Sequence, residues 1–135
     1  MSPSDNEIKQ LAIDWIDYQK IALDPKTCTR EFRKAVEQGT HPLSYAIHEI
    51  EDYLYSYPDA AWQLILELMI LADTPLLLAN IAAGPLETLL HKYPYQYIDR
   101  IEQQAKKDKK FKECLGYVWQ GGVPEEIWRR IIKDE

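Results

Sequence analysis

Few side chains in this sequence have the type and spacing that chemistry needs. His48 and Asp52 stand one helical turn apart, so a helix would bring them to one face, with Glu49 and Glu51 adjoining. Zinc proteases use helical pairs of this kind, but their H-E-x-x-H motif needs a second histidine where Asp52 stands. His41 and His91 are lone residues beside expected helix ends. A solvated polar face accounts for the histidines, and no metal site is assigned. Glu87 is the other candidate, because it follows Gly84-Pro85-Leu86. With Gly84 as a helix N-cap, Glu87 would accept from the Gly84 N–H and sit at the positive end of the helix dipole. That is a structural role, and catalysis would need a partner acid or base that the sequence does not name. Cys28 and Cys114 lie far apart, form no C-x-x-C pair and read as reduced thiols. The sequence holds no G-x-S-x-G, phosphate-binding loop or dinucleotide fingerprint. No catalytic residue and no cofactor is therefore assigned.

Charge says more. The 135 residues carry a net charge of −6, spread unevenly. Between Lys34 and Lys92 there is no lysine or arginine, while the same interval holds Glu37, Glu49, Glu51, Asp52, Asp59, Glu67, Asp73 and Glu87. An acidic chain argues against nucleic acid as a partner. The basic run Lys106, Lys107, Lys109, Lys110 and Lys112 reads as a solvated end whose cations favour the dipole of the preceding helix. Tyr45, Glu49, Asp52 and Tyr55 share one face of an expected helix, with Asp59 just beyond. Outward tyrosines supply rigid contact area, and a uniformly negative surface speeds capture of a basic partner. These five residues are the expected partner-binding set.

The elements that would carry them are helices, and prolines punctuate them at positions where a missing N–H does no harm. A first helix is expected from about Asp5 to Leu23, opened by a Ser4/Glu7 capping box, with Ile8, Leu11, Ala12, Trp15 and Ile16 on one face. Asp24-Pro25 opens a second, ended by Gly39, with a thin apolar face of Cys28, Phe32, Ala35 and Val36. Thr40-His41-Pro42 opens a third, to about Ser56, with Leu43, Ile47, Ile50, Leu54 and Tyr57 inward. A fourth from Pro58-Asp59 is apolar nearly all round and reads as central. Thr74-Pro75 opens a fifth that ends near Ala83, and Gly84-Pro85 a sixth. Tyr93-Pro94 and Asp108 open the next two, the latter with Phe111, Leu115, Val118 and Trp119 inward. Pro124 begins a last helix carrying Ile127, Trp128, Ile131 and Ile132. No alternating run or hairpin turn signals a strand. The expected fold is all-α, one domain over 1–135: a compact array of eight or nine short helices with helix-hairpin, solenoid-like packing. The start has no apolar signal core, and the apolar run from Leu64 to Ala72 is too short to span a bilayer, so a cytoplasmic protein is expected.

One stretch is also familiar. Ala83-Gly84-Pro85-Leu86-Glu87-x-Leu89-Leu90, then Ile98-Asp99-x-Ile101-Glu102-x-x-Ala105, then Asp108-x-x-Phe111-x-x-x-Leu115-x-x-Val118-Trp119 resembles a family of small bacterial helical domains of unknown function. Ala61-Trp62-x-Leu64-Ile65 fits it too. The resemblance runs from Trp15 to Trp128 and departs where Tyr93-Pro94 replaces a glycine common in members. It implies an all-helical fold and a bacterial source, and no activity. The function expected is a non-enzymatic protein-binding module for a basic protein, with toxin-neutralising immunity as one concrete version. A small helical enzyme with an inter-helix site using Glu87 or a histidine is the alternative, and a self-associating scaffold, such as a homodimer, is a third.

Overall fold

Short polar side chains and prolines set the helix starts, each by supplying or avoiding a need of the first turn. In a computed structural model of the chain, which describes residues 2–132, helix α1 spans Asp5–Leu23. The Ser4 hydroxyl accepts the Glu7 N–H at 3.1 Å, and the Glu7 carboxylate accepts the Ser4 N–H at 3.2 Å, completing the expected capping box. Helix α2 (Arg30–Gln38) starts later than Asp24-Pro25 suggests. Asp24 closes a tight turn instead, accepting from the Lys26 N–H, and Thr29 supplies the cap by accepting from Phe32. Gly39 ends α2 at φ 73, a left-handed conformation that glycine adopts without a side-chain clash. Helices α3 (Ser44–Ser56), α4 (Pro58–Leu71), α5 (Pro75–Ile81), α6 (Glu87–Lys92), α7 (Pro94–Lys107), α8 (Lys109–Leu115) and α9 (Glu125–Ile132) follow. Pro58, Pro75 and Pro94 each stand at the first helical position, and Thr74 and Asp108 are N-caps. The fold is all-α: no strand occurs among the described residues, and none of their helices is long and apolar enough to cross a membrane.

The helices group into two units, Met1–Ala72 and Asp73–Glu135. In the first, α1 packs against both α3 and α4. Its buried side chains are the five expected, Ile8, Leu11, Ala12, Trp15 and Ile16. Only Phe32 of α2 is buried, its ring 5.7 Å from Tyr18 and 5.0 Å edge-on to His41, while Cys28, Ala35 and Val36 stay half-buried. On α3 the buried face is Ser44, Ala46, Ile50, Tyr53 and Leu54. Leu43, Ile47 and Tyr57 are only half-buried, so the inward face is turned from the expected one, with the Tyr53 ring inside. Helix α4, apolar nearly all round, is not buried all round. Leu64, Ile65 and Leu68 are fully buried, but Ile70 is 72 % exposed.

In the second unit, α7 packs against α6, α8 and α9. The expected break at Gly84-Pro85 does not occur. Residues 75–92 run as one helical stretch, with a π-helical turn over Ala82–Leu86 joining α5 to α6. Gly84 is no cap and has no positive φ. A proline inside an α-helix removes one hydrogen bond and drives its ring into the carbonyl four residues back. Widening the turn makes room: the Glu87 N–H reaches Ala82 O, five residues back. What holds this turn in helical form is burial on both sides of it. Leu77, Leu78, Ile81 and Ala82 before Pro85, and Leu86, Leu89 and Leu90 after, are all buried. Each buried leucine or isoleucine contributes about 1.5–3 kcal/mol, which together outweighs the roughly 3 kcal/mol cost of an interior proline.

Candidate functional site

The α3 surface is built by a helix whose inward face is spoken for. With Ala46, Ile50, Tyr53 and Leu54 turned to the core, Tyr45, His48, Asp52 and Tyr55 face solvent. Tyr45 is 42 % and Tyr55 60 % exposed, Glu49 is half-buried, and Asp59 is exposed in the first turn of α4. Tyr45, Glu49 and Asp52 follow the i, i+4, i+7 spacing of a single helical row. Tyr55 flanks that row, and Asp59 lies past the Tyr57-Pro58 bend.

One element of the surface was not legible in the sequence. The Tyr45 hydroxyl donates a hydrogen bond to the Asp14 carboxylate of α1. Asp14 thus joins the acidic surface from a helix far away in sequence. The bond fixes the Tyr45 ring, and its signal would have required knowing that α1 packs on α3. Burial raises the Tyr45 pKa above the usual phenol value, and the Asp14 hydrogen bond and the Asp14 and Glu49 charges push it the same way. Tyr53 is raised too, first by burial and then by Glu49 and Glu7. Both phenols therefore stay protonated and able to donate across the neutral range.

His48 and Asp52 lie exposed on this helix, and no group of three or more His, Cys, Asp or Glu side chains that could hold a metal ion occurs among the described residues. His41 has a structural place, its Nδ1 accepting the Leu43 N–H at 3.1 Å while its ring meets Phe32. Glu87 and His91 stand one turn apart and anchor the segment after α8. The Glu87 carboxylate accepts the Trp119 N–H at 3.4 Å. Gly121, at φ 49, lies so close to His91 that an added Cβ would come within 2.8 Å of Cε1, and within 3.0 Å of a Trp119 ring carbon. Trp119 is not inward as its spacing suggests, because α8 ends at Leu115 and the chain leaves helical register; its side chain is 70 % exposed. Trp128 is half-buried and Ile132 38 % exposed, so α9 buries only Ile127 and Ile131.

Gly121→Ala is expected to lower the unfolding free energy by about 1–2 kcal/mol, the cost of a left-handed conformation for a residue with a Cβ. Urea denaturation reads it, with Gly122→Ala beside it. An added Cβ at Gly122 meets nothing within 4 Å, and that variant should stay within about 0.5 kcal/mol of the parent. Equal effects at the two glycines would contradict the left-handed conformation of Gly121. Both cysteines are free thiols. Cys114 is buried, its Sγ–H donating to Leu78 O at 3.3 Å, and burial, assisted by Glu113, pushes its pKa up to about 12, which leaves it unreactive.

No curated protein and no solved structure matches the chain. One family model does, over residues 33–134, and its description is a family of unknown function, DUF6869. The match takes in the whole α3 surface, Asp59 and the 75–92 helical run, and leaves α1 with Asp14 outside. With most of its length covered, this all-helical chain belongs to the DUF6869 family of unknown function.

Proposed function

We propose that the protein is a non-enzymatic binding module whose α3 surface takes up a basic protein partner. The observation that carries this is the pairing of two solvent-facing tyrosines, Tyr45 and Tyr55, with carboxylates in a stretch that holds no lysine or arginine from 35 to 91. Tyrosine suits the centre of an interface because it offers a large, stiff, amphipathic ring at small entropic cost. Asp14 already fixes the Tyr45 ring, so less freedom is lost on binding. Glu49, Asp52 and Asp59, with Asp14, give the surface one sign of charge, which steers a basic partner and repels an acidic one. A toxin held inactive by such a surface is one concrete form of partner. The protein is expected to work in the cytoplasm of a bacterium.

The test is affinity capture at low and at raised salt, comparing the parent chain with Tyr55→Ala/Asp52→Lys. Partners identified by mass spectrometry should be basic, should weaken with salt, and should fall at least about tenfold in recovery with the double variant, the loss of one interface anchor. Glu31→Lys applies a charge reversal on α2 and should leave recovery unchanged. Recovery that is the same for both variants and the parent would reject this surface.

A further inference from the structure

Along α1, Asp5, Lys9, Ile13 and Asp17 follow one another at steps of four residues, and all four are exposed. Side chains at that spacing lie in one row on a helix. The row reads minus, plus, apolar, minus. In the same unit, α4 runs beside α1 in the same direction. One shallow groove sets Pro3 and Asp5 against Tyr57 and Asp59, and the next sets Ile8 and Lys9 against Leu66 and Glu67. One helical turn further along, the two rows reach Ile13, 43 % exposed, and Ile70, 72 % exposed. Leu66, between them and the groove, is half-buried. The outer face of the α1–α4 pair thus carries an apolar centre with charges of both signs around it.

We propose that this face is a homodimer interface, in which α1 of one copy lies antiparallel on α1 of a second about a twofold axis crossing both helices at Ile13 and Ile70, with Lys9 of each copy paired to Asp17 of the other. Lys9 and Asp17 each lie about 6 Å along the helix from Ile13, on opposite sides of it. Turning a second helix end for end therefore sets Lys9 over Asp17, and the symmetry makes the pair twice. A parallel pairing would set lysine on lysine and aspartate on aspartate, so charge selects the antiparallel one. Packing Ile13 and Ile70 on their counterparts removes from water apolar surface that the fold leaves uncovered. An apolar centre with a charged rim is the usual anatomy of an interface. None of these side chains belongs to the α3 surface, whose single sign of charge would repel its own copy. The contact is small, so a dissociation constant of about 10–100 μM is expected, and the dilute chain is a monomer.

The test is sedimentation velocity of the full chain from about 1 μM to about 1 mM. The parent should pass from monomer to dimer over that range. Ile13→Gln should weaken the dimer at least about tenfold, by loss of its apolar centre. Lys9→Glu alone puts like charges at both pairs, and so does Asp17→Lys alone, so each should remain monomeric. An equimolar mixture of these two variants restores opposite charges at both pairs and should dimerise as the parent does. Circular dichroism should show every variant folded, since the altered side chains are exposed. Recovery in the mixture is a result that a folding defect cannot give. Single variants that dimerise like the parent, or a mixture that stays monomeric, would overturn the proposal. A parent that is still monomeric at about 1 mM would overturn it too, and would leave the face to a different protein.

Discussion

Leu68→Glu is expected to prevent the first unit from folding, whereas Ile70→Glu, two residues on, should change stability by less than about 0.5 kcal/mol. The two residues are alike in type and share α4, and both belong to a run that reads as uniformly apolar. Leu68 is fully buried, while Ile70 is 72 % exposed. A carboxylate at 68 would be stripped of water without a partner, or would have to take up a proton. Added to the lost packing of the leucine, the effect falls in the exceptional class above about 4–5 kcal/mol, comparable to the whole stability of an ordinary domain, about 5–15 kcal/mol. A glutamate at 70 is merely a solvated side chain on a helix. Circular dichroism and urea denaturation of the two variants decide it. A folded Leu68→Glu protein, or an unfolded Ile70→Glu protein, would mean that α4 faces its core the other way round.

Phe111→Ala should cost about 3–5 kcal/mol, while Trp119→Ala should stay within about 0.5 kcal/mol. Helix α8 has seven residues, too few to persist alone, since an isolated helix below about 12–15 residues is marginal in water. It is kept by the Asp108 cap, which accepts from the Lys110 and Phe111 N–H groups, and by the burial of Phe111, Cys114 and Leu115. Phe111 has no exposed surface and is the largest side chain so enclosed among the described residues. Alanine would leave a cavity where its ring stood, and the flanking helices α5 and α7 can close it only in part. Trp119 contributes its backbone N–H to Glu87, which alanine retains, and most of its ring lies in water. Denaturation curves for the two aromatic variants, measured side by side, should differ by several kcal/mol in the stated order. A tryptophan loss as large as the phenylalanine loss would place Trp119 in the core, where its spacing alone would put it.

That spacing argument succeeds and fails in an instructive way along the chain. It is right for α1, where Ile8, Leu11, Ala12, Trp15 and Ile16 form a stripe flanked by charged residues, and all five are buried. It is right for the caps at Ser4, Thr74 and Asp108, because a cap involves only residues within one turn of each other. It is misleading at Trp119 and Ile70, where the side chain is apolar and nothing local says whether a neighbour covers it. Gly84-Pro85 shows a third case. Local preference favours a break, but burial of Leu77, Leu78 and Ile81 on one side and Leu86, Leu89 and Leu90 on the other carries the helix through in a π turn.

The candidate surfaces divide along the same line. Tyr45, Glu49 and Asp52 were legible as a row because a helix repeats every 3.6 residues, and the absence of cations around them is plain in the sequence. Asp14 was not, since its bond to Tyr45 exists only because α1 packs on α3. The meeting of Lys106, Lys112 and Arg130 at one cleft was not legible either, since they come from three helices and only packing brings them together. By itself the sequence determined what is local and periodic: an all-helical chain, most helix starts, the first core stripe and the acidic, base-free interval. The tertiary structure alone decided which apolar side chains are covered, that the proline is bridged instead of breaking the helix, and where distant charges meet. Those outcomes depend on burial between segments far apart in sequence, and that term is large enough to override any one residue's local preference.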